Sequence, residues 1–149
     1  MELASNAPLL TQQWLFSLNG FVKGYHRGAG DELRGAVSDE RRADIEGSAD
    51  TGVLFALVLD RLDRGASPGD AIAGIATEIA RDHGGRLNLL LTDGQRLAAT
   101  AWGNSLFVRD DPDASCVASE PLDDDPAWTR VDDHTLVEGT ADSLQLVSL

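Results

Sequence analysis

The apolar positions of this chain change period along its length, and the changes mark its elements. Residues 13–18 are dense in aromatic and aliphatic side chains, stop at Asn19-Gly20 and resume at Phe21-Val22. Asn and Gly both tolerate the positive φ of a type I′ turn, so this pattern predicts a strand, a tight turn and a second strand. From 24 to 47 the chain is glycine-rich and charged, with Arg41-Arg42 and several carboxylates but no sustained apolar face. A short helix from Asp31 through Val37 is predicted there, and the segment as a whole reads as a mobile polar insertion. Val53, Leu54, Leu57, Val58 and Leu62 then return at three- and four-residue spacing, which predicts a helix opening at Asp50. A carboxylate at that place accepts backbone N–H bonds and complements the helix dipole.

Ser67-Pro68 opens a second helix as N-cap and first helical residue, and Ala71, Ile72, Ile75, Ile79 and Ala80 carry it to Asp82 before Gly84-Gly85 ends it. Strands follow. Residues 86–92 and 96–102 flank Asp93-Gly94, a second hairpin signal, and short strands are predicted at 106–108, 114–119, 135–137 and 143–147. Helices grouped between runs of antiparallel strands argue for an α+β fold rather than an alternating parallel α/β sheet.

Charge then narrows the functional classes. The 149 residues carry 25 Asp and Glu against 12 Lys and Arg, a net charge of −13 that repels phosphate backbones and anionic lipid. No nucleic-acid or membrane partner is expected. A hydrophobic share of 42% sets the chain apart from disordered sequences and fits one domain. Cys116 is the only cysteine, so neither a disulfide framework nor a multi-thiolate metal site can be built from these residues, which suits a reducing cytoplasm. The longest apolar run, at 53–59, is far shorter than a membrane-spanning helix needs.

Few residues are arranged for chemistry. Asp123-Asp124-Asp125 lacks the spacing of a cation-binding loop and reads as a solvated run, and His26, His83 and His134 are too scattered for zinc. No metal or cofactor is expected. Cys116 sits between small apolar residues, as a structural thiol does. Asn19-Gly20 has two readings: a plain turn, or a side-chain amide and a backbone N–H placed together to receive a tetrahedral oxyanion. Asp50 likewise is either a helix cap or a carboxylate that holds an ammonium group.

Several blocks occur in a characteristic order: Gln13-Trp14-Leu15-Phe16-Ser17-Leu18-Asn19-Gly20-Phe21-Val22, Gly47-Ser48-Ala49-Asp50-Thr51, Arg86-Leu87-Asn88-Leu89-Leu90, Thr100-Ala101-Trp102-Gly103, and Ala118-Ser119-Glu120-Pro121 followed by Asp123-Asp124-Asp125-Pro126 and Trp128. In these the chain resembles the class II glutamine amidotransferases, and among them the γ-glutamyl amidohydrolases of the ergothioneine pathway. The resemblance implies an N-terminal-nucleophile hydrolase fold, an αββα sandwich of two antiparallel sheets between helices, which cleaves a γ-glutamyl amide through an acyl-enzyme. It further implies that Asn19 and Gly20 form the oxyanion hole and that Asp50 holds the α-ammonium of the γ-glutamyl group. Trp102 is either a packing residue or, on the acceptor side, a face for a quaternary ammonium.

Two departures from the family pattern shape the remaining expectations. The family's nucleophile is an amino-terminal cysteine on a preceding segment that also carries an arginine for the substrate carboxylate, and Cys116 does not match it. Leu18 stands where the family usually has histidine before Asn-Gly. Residues 1–149 are therefore expected to form a single partial domain, the C-terminal part of the family's fold without its N-terminal strands. Its open edges would be covered by a homo-oligomer or by a separate N-terminal half. The functional expectation is a nucleophile-free portion of a γ-glutamyl amidohydrolase, inactive alone, with a non-catalytic binding or scaffold module as the alternative.

Overall fold

The computed structural model describes residues 8–45, 47–112 and 114–149. In chain order it forms β1 (Leu9–Thr11), β2 (Trp14–Val22), a 3-10 turn (Tyr25–Arg27), α1 (Ala29–Ala36), α2 (Asp39–Arg42), α3 (Asp50–Asp63), α4 (Pro68–Asp82), β3 (Gly85–Thr92), β4 (Arg96–Ala101), β5 (Phe107–Asp111), β6 (Ala114–Ala118), β7 (Thr129–Arg130), β8 (Thr135–Thr140) and β9 (Ser143–Ser148). Six strands make one sheet in the order β1-β2-β3-β4-β8-β9, and β6-β5-β7 make a second. The strands pair antiparallel, as the α+β reading requires.

Alternation along the central strands decides how the layers stack. Leu87, Leu89 and Leu91 of β3, with Phe16 of β2 and Ala98 of β4, point to one face and meet the apolar sides of α3 and α4. Ala99, Ala101 and Val137 point to the other face and meet Leu106, Val108 and Val131 of the small-sheet region. The result is a helical layer, a large sheet and a small sheet. Each residue from Val53 to Asp60 of α3 is buried, so the helix is enclosed on all sides and not on the single stripe its spacing announced. Phe16 and Phe55 stack with centroids 5.1 Å apart across the β2–α3 contact.

The predicted turn at Asn19-Gly20 does not form, because β2 runs straight through both residues. Its register against β3 is continuous from Leu15 opposite Thr92 to Val22 opposite Gly85. Long-range ladder pairing overrides the local turn preference. Glycine is still required at position 20, for a different reason: φ is 149°, and a Cβ would lie 1.9 Å from the Arg86 carbonyl oxygen. The second signal does hold, since Gly94 has φ 87° and Asp93 accepts the N–H groups of Gln95 and Arg96.

The 24–47 stretch carries more regular structure than its composition announced. Leu33 and Val37 are buried in the main core. Buried Asp60 of α3 accepts from the Ser38 N–H at 2.8 Å and the Ser38 hydroxyl at 2.6 Å, while Arg41 pairs with Asp63. Ser38 and Arg41 thus attach the segment to α3, while Arg42 binds within it, to Asp39 and to the Val37 carbonyl. At α4 the sequence reading holds, with Ser67 accepting from the Asp70 N–H and Pro68 in the first turn.

Candidate functional site

The end of β2 and the start of α3 meet at a single hydrogen bond. The Val22 N–H, two residues beyond Gly20, donates to Asp50 Oδ2 at 2.9 Å. This revises the cap reading: Ala49 is the N-cap, and Asp50, the first helical residue, gives its carboxylate to another strand. Beside it opens a cleft of about 420 Å³, lined among others by Gly20, Val22, Tyr25, His26, Arg27 and Asp50. Burial pushes the Tyr25 phenol above its ordinary value, opposed by Arg34, and the hydroxyl donates to the Ala49 carbonyl at 3.2 Å.

Asn19 belongs to a second cleft, of about 260 Å³, on the face of β2 that looks toward the small sheet. Ser17, Asn19, Asn88, Val117 and Ser119 are among its walls. Its floor depends on a break in the β3–β4 ladder. Regular pairing stops at Leu90 opposite Ala99, and the buried Thr100 hydroxyl fills the gap, accepting from the Leu89 N–H and donating to the Leu87 carbonyl. The Asn88 side chain bonds within the opened space to residues 102–105: its Oδ1 accepts from the Trp102 and Asn104 N–H groups, and its Nδ2 donates to the Asn104 and Ser105 carbonyls.

The other singled-out residues lie elsewhere. Trp102 rests on the His134 ring with centroids 4.1 Å apart and is not among the residues lining either cleft. Cys116 is half-buried on β6, opposite Arg109 of β5, and also lines neither cleft. The acidic run is not simply solvated. Asp123 accepts from the Trp128 indole at 2.8 Å and from Arg109 at 3.1 Å, and Asp125 accepts from the Ala127 N–H. The Trp128 indole, the Asp125 N–H and Arg109 together hold the Asp123 carboxyl below its ordinary value. Among the described residues no group of three acidic, histidine or cysteine side chains is placed to hold a metal ion.

Sequence reasoning missed Arg27 and the pair Asn88 and Asn104. Arg27 lies in a segment whose composition suggests only solvent, and nothing local links it to Asp50. Asn88 carried one legible signal, an amide inside an otherwise leucine-rich strand: a buried polar side chain must find partners.

No family model matches the chain. Over 139 residues, 93% of this chain, it is 37% identical to the gamma-glutamyl-hercynylcysteine sulfoxide hydrolase of Mycolicibacterium smegmatis, and over its full 149 residues it is 33% identical to the protein of that name from Mycobacterium tuberculosis. It spans about half the length of these relatives, 53% and 57%. A glutamine aminotransferase class-II domain protein from Silicibacter pomeroyi superposes with a TM-score of 0.80 at 27% identity, covering 95% of this chain and 70% of that one. The glutamine phosphoribosylpyrophosphate amidotransferase of B. subtilis shares the fold, with a TM-score of 0.69 at 18% identity over 95% of this chain and 31% of its own.

Proposed function

This chain is a homologue of the γ-glutamyl-hercynylcysteine sulfoxide hydrolases with the fold of class II glutamine amidotransferases, and from that premise we propose that it supplies the oxyanion and ammonium subsites of a γ-glutamyl amidohydrolase of the ergothioneine type. The observation that carries the reading is the Val22–Asp50 bond, which brings the end of β2 with Gly20 to the cleft of the Asp50 carboxylate, while Asn19, the next residue back along the strand, lines the cleft on the other face.

The chemistry follows from that arrangement. Attack of a thiolate on the γ-amide carbon moves the carbonyl electron pair onto oxygen, where the Asn19 side-chain amide and the Gly20 N–H receive the charge. Collapse of the tetrahedral adduct expels the amine and leaves an acyl-enzyme that water hydrolyses. Asp50 fixes the α-ammonium through its charge. Arg27, the cation lining the same cleft, meets the α-carboxylate at the other end of the zwitterion. The nucleophile comes from outside these 149 residues, since Cys116 lines neither cleft.

The open edges fit that division of labour. Leu10 and Leu15 are exposed at the β1 edge, and Leu146 and Val147 at the β9 edge. A second copy or the nucleophile-bearing segment covers them. No helix of the described residues is long and apolar enough to cross a membrane, and we place the protein in the cytoplasm on its single unpaired thiol.

Calorimetry with L-glutamine and a γ-glutamyl thioether tests the reading: heat of binding in the purified chain, lost in Asp50→Asn, supports it. No binding in either protein favours the second reading, a scaffold that keeps the fold without the activity. Leu18 before Asn19, half-buried on the helical side, is the observation behind that alternative.

A further inference from the structure

We infer that Asn104, shaped into place by Asn88, is the positioning residue for Asn19. The inference rests on Asn19 and Gly20 being the oxyanion donors, but its geometry stands apart from that reading. Asn19 and Asn88 are directly opposite in the β2–β3 ladder, so both side chains project from the same face. Asn88 is only 5% exposed and uses its two acceptor lone pairs and both donor hydrogens on one short stretch of loop, at 2.8, 3.2, 3.1 and 3.1 Å. That set admits an amide alone. Aspartate would turn an acceptor toward two carbonyl oxygens, and leucine would leave two N–H groups and two carbonyls without partners in a buried place.

The loop held in this way spends its own groups on the cleft. The Asn104 side-chain NH2 reaches across to the Asn19 carbonyl oxygen at 3.0 Å, a contact over 85 positions of sequence. Ser105 donates to the Ser119 carbonyl at 2.9 Å and so holds the opposite wall. Asn19 lies on the exposed side of β2, where the ladder with β3 is its other constraint. The bond at its carbonyl fixes the peptide plane between Asn19 and Gly20, and that plane carries the Gly20 N–H. Asn104 therefore sets the direction of one proposed oxyanion donor and the backbone from which the other projects, without touching a substrate itself.

Two-dimensional 15N NMR of the purified 149-residue chain tests this with Asn104→Ala, which removes the bond to Asn19 while the backbone contacts to Asn88 persist. The Gly20 N–H and Asn19 side-chain resonances are expected to move, with the thermal midpoint nearly unchanged. Asn104→Asp, which keeps the size but cannot donate, is expected to reproduce the shifts. Ser105→Ala is expected to leave them in place. Affinity for L-glutamine should fall up to about tenfold in Asn104→Ala, as for one lost hydrogen bond. Unmoved Asn19 and Gly20 signals in Asn104→Ala, or equal movement in Ser105→Ala, overturn the inference. If the wild-type chain binds no glutamine while Asn104→Ala still moves Gly20, the positioning stands and the amidohydrolase reading falls.

Discussion

The backbone N–H of Val22 donates to the Asp50 carboxylate at 2.9 Å, joining residues 28 positions apart. The bond makes the carboxylate a strand anchor beside its proposed role toward an ammonium group, and two substitutions separate the two. Asp50→Asn keeps an oxygen for Val22 and removes the charge: binding of L-glutamine is expected to fall by more than tenfold with little loss of stability. Asp50→Ala removes both and costs about 1 kcal/mol of stability in addition. Calorimetry paired with thermal melts reads the two effects, and equal destabilisation by both variants would refute the division.

Gly20 tolerates no side chain. A Cβ would meet the Arg86 carbonyl at 1.9 Å, so Gly20→Ala must push β2 away from β3. The expected cost is about 1–3 kcal/mol or more, comparable with other forced backbone strain. A melting curve that coincides with wild type would contradict the close approach.

Asp60 is the buried carboxylate that holds the α1–α2 region to α3 through Ser38. Asp60→Ala leaves the Ser38 N–H and hydroxyl without their partner, at about 1–3 kcal/mol. Faster amide exchange confined to residues 29–42 is the expected signature, and exchange unchanged there would show that Asp60 does not hold the segment.

The Asp123 carboxyl titrates below its ordinary value of 3.8 because the Trp128 indole, the Asp125 N–H and Arg109 all favour its charged form. A lowered folded value means that its contribution is complete above the ordinary value and disappears as pH falls through the lower one. The Trp128 indole N–H resonance is therefore expected to move with a midpoint below pH 3.8. Movement centred at or above 3.8 would show the indole bond to be absent in solution.

The exposed edges predict association. Sedimentation of the purified chain is expected to show a species larger than a monomer, or one that becomes so when the remainder of a relative's sequence is supplied. A compact monomer that binds no dye for apolar surface would count against both forms.

Much of the fold was legible because its signals are local. Ser67-Pro68 and Asp93-Gly94 act through bonds to residues two or three positions away, and no distant partner overrules them. Asn19-Gly20 carries an equally strong local signal and misleads, because an eight-residue ladder with β3 outweighs it. The family resemblance nevertheless singled out these two residues and Asp50, since residue type and order are linear properties.

The chain's own order of residues therefore settled the helices opening near Asp50 and at Ser67-Pro68, the Asp93-Gly94 hairpin, that the protein is acidic with one thiol, and which side chains were candidates for an oxyanion and an ammonium. Tertiary structure alone decided that Asn19-Gly20 is strand, that Asp50 answers to Val22 instead of capping its helix, that Arg27 shares its cleft, and that Asn88 and Asn104 stand behind Asn19. The physical reason is the same in each case. Those relationships join residues far apart in the chain, and no local spacing encodes a hydrogen bond that exists only once two distant backbones have been brought together.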